Sequence, residues 1–582
     1  MVETRPATTH LSVKPALQRA LPLITSKRIA WLVVGFGVLL RAVEYFSNPA
    51  LLVDEGALAL NIIHRTFAGL LQPLDFNQAA PIGFLMLERI AVLALGDSEY
   101  ALRLLPFLFS VGGLILFYVV ARRMLAGWAV PVALLFFAAS SQILYYSTQV
   151  KQYSSDVAIT LLIVAAGLDL KSKPLTGKRA LLFALLGMIV VWISHPSVFV
   201  LGGVGATLAV AALMNKQWAR LATVGSCCLS WMLSFAVFFR TSLDTLGENR
   251  QLEASWLRKG TFMPLPPMSL SDLEWFPVTF LKVFSNPVAS PFPFAAALIF
   301  IVGCFALVKK NKPHFWMMAA PLLLTLLASG MHKYPFGRRL LLFCLPLILI
   351  LLMAGIQFVV ERARPYAVFI GFLLLEVLLF EFLSNETTTL SAKRWLAFIG
   401  ATGLLVVGAA VAYVADRTRI YAVLLGGITA VFLLVQPVGS ATSGMRHPFA
   451  RPDIRPMIAC FRDQRQPGDI AYVYHHPKET FRYYAAKYNI TESEYVIGTD
   501  ARQAWKGEEN ETYENELAPL RGRARVWFLF SSVRSIRGVN EERALLKYLD
   551  RVGTRLFEFK KRGGSAYLYD LSGPGGVASK GR

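Results

Sequence analysis

The chain is a succession of long apolar runs separated by short polar segments. Runs suited to membrane helices lie at 29–46, 104–120, 128–146, 155–169, 179–194, 196–213, 220–239, 291–308, 314–329, 340–360, 366–383, 395–414 and 420–437. A bilayer core takes about 20 apolar residues of helix, so the pattern predicts a polytopic α-helical membrane protein with about 13 transmembrane helices. A further run, 81–95, is shorter and carries Glu88 and Arg89 at its centre. It predicts a helix resting in the interface plane, with one apolar and one charged face. From about residue 440 the pattern changes to short β-type runs, Ile470–Tyr474, Val526–Ser531 and Ala566–Asp570, alternating with helical patterns such as Glu541–Asp550. That alternation predicts a small C-terminal α/β domain.

Charge orients these elements. The chain has 582 residues, is 55% hydrophobic and carries a net charge of +22. The excess sits in short segments: Lys27-Arg28, Arg122-Arg123, Lys171 to Arg179, Lys216/Arg220, Lys309 to Lys312, Arg362/Arg364 and Arg417/Arg419. With the N-terminus inside and 81–95 in the interface, every one of them falls on the inner side, as the positive-inside rule requires. The expected organisation is a cytoplasmic segment 1–28, a membrane domain 29–438 and an extracytoplasmic α/β domain 439–582. No Lys/Arg block is interleaved with aromatic residues, so a nucleic-acid partner is not expected. The five cysteines form no CxxC or Cys/His set, which speaks against a disulfide framework or a zinc site. The polar segment before Lys27 has no apolar core or cleavage site of a signal peptide, so the first run is expected to stay in the membrane.

The predicted topology gathers polar stretches on the outer face. They are the loop 47–103, the stretch Tyr145–Asp156, the long Pro- and aromatic-rich loop 240–290, and the link 332–339. Loop 240–290 is too long for a simple connection and is expected to act as a lid or binding loop. Adjacent carboxylates at the membrane rim, Asp54 and Glu55, are costly there and call for a purpose. Asp54 is the candidate general base for a hydroxyl brought within hydrogen-bond reach; the plainer alternative is a solvated helix cap. Arg103, Lys151 and Arg338 (with Arg339 beside it) lie at the same level and together could hold a lipid phosphate, whereas any one alone reads as a cation snorkelling to headgroups. His475-His476 read as surface residues after a strand.

These residues also carry a resemblance. Asp54-Glu55, then Gln78-Ala79-Ala80-Pro81, then Leu95-Gly96-Asp97-Ser98-Glu99-Tyr100-Ala101-Leu102-Arg103-Leu104 resemble the first-loop signature of the GT-C membrane glycosyltransferases. The similarity is to family 39, which holds the protein O-mannosyltransferases and the aminoarabinose transferase of lipid A. Arg122-Arg123, the stretch Tyr145 to Tyr153 and Tyr334-Pro335-Phe336-Gly337-Arg338 fit the same pattern. Two departures stand out. Ala79-Ala80-Pro81 replaces the His-Pro-Pro of mannosyltransferases, and Gln149 and Lys151 stand where many members have Glu and Arg.

The resemblance implies a donor sugar linked to a polyprenyl phosphate and direct, inverting transfer to an acceptor hydroxyl at the extracytoplasmic face of a bacterial inner membrane. It gives Asp54 the role of base and Glu55 that of positioning the loop or the acceptor. Arg103, Lys151 and Arg338 would steady the phosphate, and Gln78, Tyr153 and Tyr334 would contact substrate. The acceptor could be lipid, glycan or protein. No compact metal-ligand set is visible, so no cofactor is expected, with a divalent metal left open. The alternative function is a transporter or flippase of a lipid-linked sugar, which would favour symmetric halves and helices broken at the midplane.

Overall fold

The computed structural model describes residues 26–243, 254, 256–361, 437–444, 452–499, 514–533, 535–536 and 539–573. The expected runs 366–383 and 395–414, and nearly all of 420–437, lie outside these residues, as do Arg362, Arg364, Arg417 and Arg419. Ten expected runs are covered, and all are helical. The membrane portion comprises α1 (Ser26–Phe46), α4 (Glu99–Met124), α5 (Ala129–Ala139), α6 (Ser141–Tyr146), α7 (Tyr153–Ser172), α8 (Gly177–Ile193), α9 (Ser197–Met214), α10 (Trp218–Phe238), α12 (Pro293–Lys310), α13 (Lys312–Gly330) and α14 (Leu345–Glu361). Between them lie the helices α2 (Val53–His64), α3 (Ile82–Leu95) and α11 (Leu270–Ser285). Among the described residues, eight helices are long and apolar enough to cross a membrane. The chain is an integral membrane protein by that measure.

The expected span 128–146 is broken. It bends at Ser140 into α5 and α6. A break frees backbone carbonyls that hydrocarbon cannot satisfy. Buried Arg41 of α1 supplies donors there: Nη1 reaches the Ala138 carbonyl at 3.3 Å and that of Gly37 at 2.8 Å, while Nε donates to Ser110 Oγ at 2.8 Å. Elsewhere the bundle closes through small residues. Gly303 of α12 and Gly355 of α14 face each other so closely that a Cβ on either would meet the opposing backbone. This is how membrane helices gain packing where no hydrophobic drive separates helix from lipid.

Helix α3 also differs from expectation. Its outward side is apolar, with Ile90, Leu93 and Leu95 more than half exposed. Its charges point inward: Glu88 is fully buried, and Arg89 donates to the carbonyls of Ile62 and Ile63 at 3.1 and 2.6 Å. Turned toward protein, the Arg89 guanidinium finds carbonyl acceptors.

The C-terminal portion is a five-stranded sheet of order β2-β1-β3-β7-β6, from β1 (Ile470–Val473), β2 (Tyr495–Ile497), β3 (Val526–Ser531), β6 (Thr554–Lys561) and β7 (Gly564–Asp570). A short ribbon pairs β4 (Ser535–Ile536) with β5 (Val539–Asn540). Strand β1 is parallel to both neighbours, while β7 runs antiparallel to β3 and β6. Helix α17 (Glu541–Val552) covers one face, packing Leu545 and Leu549 against Phe528 and Phe530. Helices α15 (Arg455–Gln464) and α16 (Lys478–Lys487) cover the other. That second core does not stop at the domain. Phe481, Tyr484 and Trp527 share it with Leu51, Leu58, Phe84, Leu102 and Val150 of the membrane portion.

The seam between the portions is set by residues within the first outer loop. A Cβ on Gly56 of α2 would meet the Thr480 backbone of α16, so only glycine allows the two helices to cross here. Tyr484 Oη accepts from the Leu51 amide at 3.0 Å, and Tyr483 Oη donates to the Asp97 carbonyl at 2.8 Å.

Candidate active site

Asp54 and Glu55 occupy the first turn of α2, where carboxylates favour the positive end of the helix dipole. Their environments differ. Glu55 is 1% exposed and serves as an internal tie. It accepts from the Leu52 amide at 2.9 Å and the Val150 amide at 3.0 Å, and lies 3.7 Å from Arg103 Nη2. Arg103 is itself fully buried, donating to Asn48 Oδ1 at 3.1 Å, the Pro49 carbonyl at 2.5 Å and the Ala50 carbonyl at 3.4 Å. The Arg103 guanidinium is therefore committed to the turn that precedes α2 and does not line the cavity described below, contrary to its expected place at a phosphate. A deep guanidinium beside backbone carbonyls is a fastener, because each N–H there needs an acceptor.

Asp54, by contrast, has a half-exposed side chain that opens into a cavity of about 880 Å³. The membrane-side wall is Asp54, Glu55, Phe76, Asn77, Tyr145, Tyr146, Gln149, Lys151 and Arg339. Arg339 Nη1 donates to Asp54 Oδ2 at 3.1 Å, and its guanidinium lies over the Tyr153 ring, 5.7 Å from the centroid. Lys151 is nearly buried, and its Nζ donates to Gln78 Oε1 at 2.6 Å. Burial pushes Asp54 up, but the charges of Lys151 and Arg339 pull it down further, leaving its carboxyl below the usual range. Burial likewise lowers the Lys151 ammonium to about 8, although Asp54 opposes the shift. Phe76 and Asn77, both with positive φ (62° and 52°), carry backbone strain of the kind that persists at functional sites.

The expected site residues thus sort by position. Asp54, Glu55 and Lys151 face the cavity. Gln78 and Tyr153 stand one layer behind, holding Lys151 and underlying Arg339. Tyr334 is turned inward, its Oη donating to the Leu340 carbonyl at 2.9 Å. Arg338 is exposed and outside the lining; its neighbour Arg339 takes the place expected of it. The left-handed backbone at Arg338 (φ 50°) is what sends the two successive side chains apart. Loop 240–290, expected as a lid, contributes no lining among its described residues. It braces the link instead, since the Phe336 amide donates to the Thr261 carbonyl at 2.7 Å and Met263 N–H to Ser329 Oγ at 3.0 Å.

The opposite wall belongs to the C-terminal portion: His475, His476, Lys478, Glu479, Gly498, Thr499 and Ser532. The two histidines are cavity residues, not the surface residues expected. All seven follow the carboxyl ends of β1, β2 and β3. In this order the chain leaves β1 toward β2 and leaves β3 toward β6 and β7, and a crevice opens between adjacent strands whose connections diverge in this way. Burial raises the Glu479 carboxyl above its ordinary value, with Lys478 and Arg482 offsetting part of the rise. The available signal was the parallel β1-α16-β2 unit, whose strand ends mark a binding edge, but nothing in the sequence said which surface that edge faces. Among the described residues no three His, Cys, Asp or Glu side chains converge as a metal-ligand set.

No family model matches the chain, and no curated protein does. Among solved structures, the chain is similar to ArnT from Cupriavidus metallidurans. In the apo state the match has 14% identity over 92% of this chain and 97% of that one, with a TM-score of 0.48. For ArnT bound to undecaprenyl phosphate the values are 15%, 92%, 98% and 0.49. It is also similar to the archaeal oligosaccharyltransferase AglB from Archaeoglobus fulgidus, in complex with an inhibitory peptide and a dolichol-phosphate. There the identity is 12%, over 93% of this chain and 74% of that one, with a TM-score of 0.38.

Proposed function

We propose that this protein is a membrane glycosyltransferase of the GT-C type. It moves a hexosyl or pentosyl group from a polyprenyl-phosphate donor to an acceptor hydroxyl at the extracytoplasmic face of a bacterial inner membrane. The observation that carries this reading is one carboxylate, Asp54, facing a large polar cavity between two cations, Lys151 and Arg339. Lys151 and Arg339 keep Asp54 ionised at neutral pH, at some cost to its affinity for a proton. In the proposed step the acceptor hydroxyl gives its proton to Asp54 as its oxygen bonds to the anomeric carbon. The anomeric C–O bond to phosphate breaks, and its electron pair leaves with the polyprenyl phosphate. Lys151 and Arg339 stabilise the charge developing on that leaving group. Glu55 and Arg103 hold the turn that presents Asp54. The C-terminal wall, with His475, His476 and Thr499, receives the acceptor.

The test is transfer of labelled sugar from defined polyprenyl-phosphate donors by the purified full chain, beside Asp54→Asn. Transfer is expected in the native protein and a loss of roughly 10²- to 10⁴-fold in the variant, the usual size of general-base catalysis. Donor binding without turnover, unchanged in Asp54→Asn, would sink the enzyme reading in favour of transport.

A further inference from the structure

Arg339 touches two things that the proposed reaction needs separately. Its Nη1 donates to Asp54 Oδ2 at 3.1 Å, and its side chain lines the same cavity that Lys151 enters. A guanidinium bonded to the base lowers the base's affinity for a proton and occupies one of its oxygens. The phosphodiester of a sugar-linked donor carries its negative charge on two non-bridging oxygens that can engage both arms of that fork, whereas Asp54 meets it through one nitrogen. The Arg339 backbone is fixed on both sides. The Phe336 amide is tied to Thr261, and Tyr334 Oη to the Leu340 carbonyl. The part left to move is therefore the long side chain, which lies over the Tyr153 ring.

We infer that Arg339 is a positioning latch: it holds Asp54 until the phosphate of the lipid-linked donor takes the guanidinium, so that donor binding releases the base and donor precedes acceptor. This rests on the proposed glycosyltransferase reading. Lys151 does not serve as the latch, because its ammonium donates to Gln78 and not to Asp54. Nor does Arg103, which is buried outside the cavity lining with both terminal nitrogens on the 48–50 turn.

The latch makes Asp54 and phosphate competitors for one guanidinium, and a double-variant cycle reads that competition. The probe is polyprenyl phosphate without sugar, titrated against the full chain in detergent or nanodiscs. Asp54→Asn should bind it roughly threefold to tenfold more tightly than the native protein, the range for a part-exposed charge-assisted pair. Arg339→Gln should bind it more weakly, and adding Asp54→Asn to Arg339→Gln should largely abolish the gain. Arg339→Lys, which keeps the charge without the fork, should fall between. Steady-state kinetics should show donor binding before acceptor in the native protein and random order in Arg339→Gln. A gain from Asp54→Asn that persists undiminished without Arg339 is simple charge removal and overturns the latch while leaving the enzyme reading intact. Failure of the native protein to bind polyprenyl phosphate at all overturns the donor assignment and the latch with it.

Discussion

The two walls of the cavity are built on opposite principles. On the membrane side, function rests on charges ordered by other charges. Asp54 is flanked by Lys151 and Arg339, and behind it Glu55 and Arg103 form a buried pair stitched to backbone amides and carbonyls. On the C-terminal side, the lining follows the ends of parallel strands, and its positions come from backbone topology. The first wall is electrostatically tense, with a lysine pushed to about 8 and strained backbone at Phe76 and Asn77. The second is a sheet edge of the kind that accommodates varied ligands by changing loops. On the proposed reading, reaction chemistry belongs to the membrane wall and recognition to the other.

Substitutions that discriminate the walls sharpen this contrast. The largest effect is expected from Lys151→Met. Removing a preorganised cation from a developing charge should cost roughly 10²- to 10³-fold in kcat, whereas Lys478→Met on the opposite wall should act mainly on acceptor KM. Equal kcat losses from the two would break the comparison. Arg103→Met should come next. It strands the buried Glu55 carboxylate and should destabilise the protein by about 3–5 kcal/mol, seen as a lower thermal midpoint in detergent. Gly56→Val should follow, since its side chain meets the Thr480 backbone and pushes the walls apart. Activity should drop roughly tenfold, in line with the cost of small misplacements in a positioned site, while the circular dichroism of both portions is retained.

The pH profile supplies a finer test. Lys151 is charged below about 8 and neutral above it, so activity that needs its charge should be full at neutral pH and fall as pH rises through about 8. Lys151 and Arg339 hold Asp54 ionised to below the ordinary carboxylate range, so the acid limb should lie below that range. Lys151→Arg should move only the alkaline limb, upward. The smallest effect is expected at Glu479→Gln, within roughly threefold of native activity, because burial already favours the neutral form of this carboxyl. A shifted acid limb in that variant would make Glu479 part of the reaction chemistry.

Much of the architecture was legible because it depends on local composition. Apolar runs long enough to span a bilayer become helices wherever hydrocarbon forbids any other satisfied backbone, and all ten runs within the described residues did so. The exceptions have named causes. The bend at Ser140 depends on an arginine about a hundred residues upstream that no window around 128–146 contains. The inward turn of Glu88 and Arg89 depends on which side of α3 meets protein.

The candidate site was legible to the same extent. Asp54, Glu55 and Lys151 announced themselves as charges out of place in an apolar chain, and the structure sets all three at one cavity. Composition could not say that Arg103 turns into the protein and that Arg339 faces the cavity in place of Arg338, because a guanidinium's direction follows from its acceptors and from local φ. Nor could it bring His475 and His476 to Asp54. That contact spans more than four hundred residues and is made by a glycine crossing and a core shared between the two portions. The sequence by itself determined which segments enter the membrane and which charges are anomalous, because solvation acts on each residue where it stands. The tertiary structure alone decided which of those charges meet, because pairing depends on distances that only the packed chain defines.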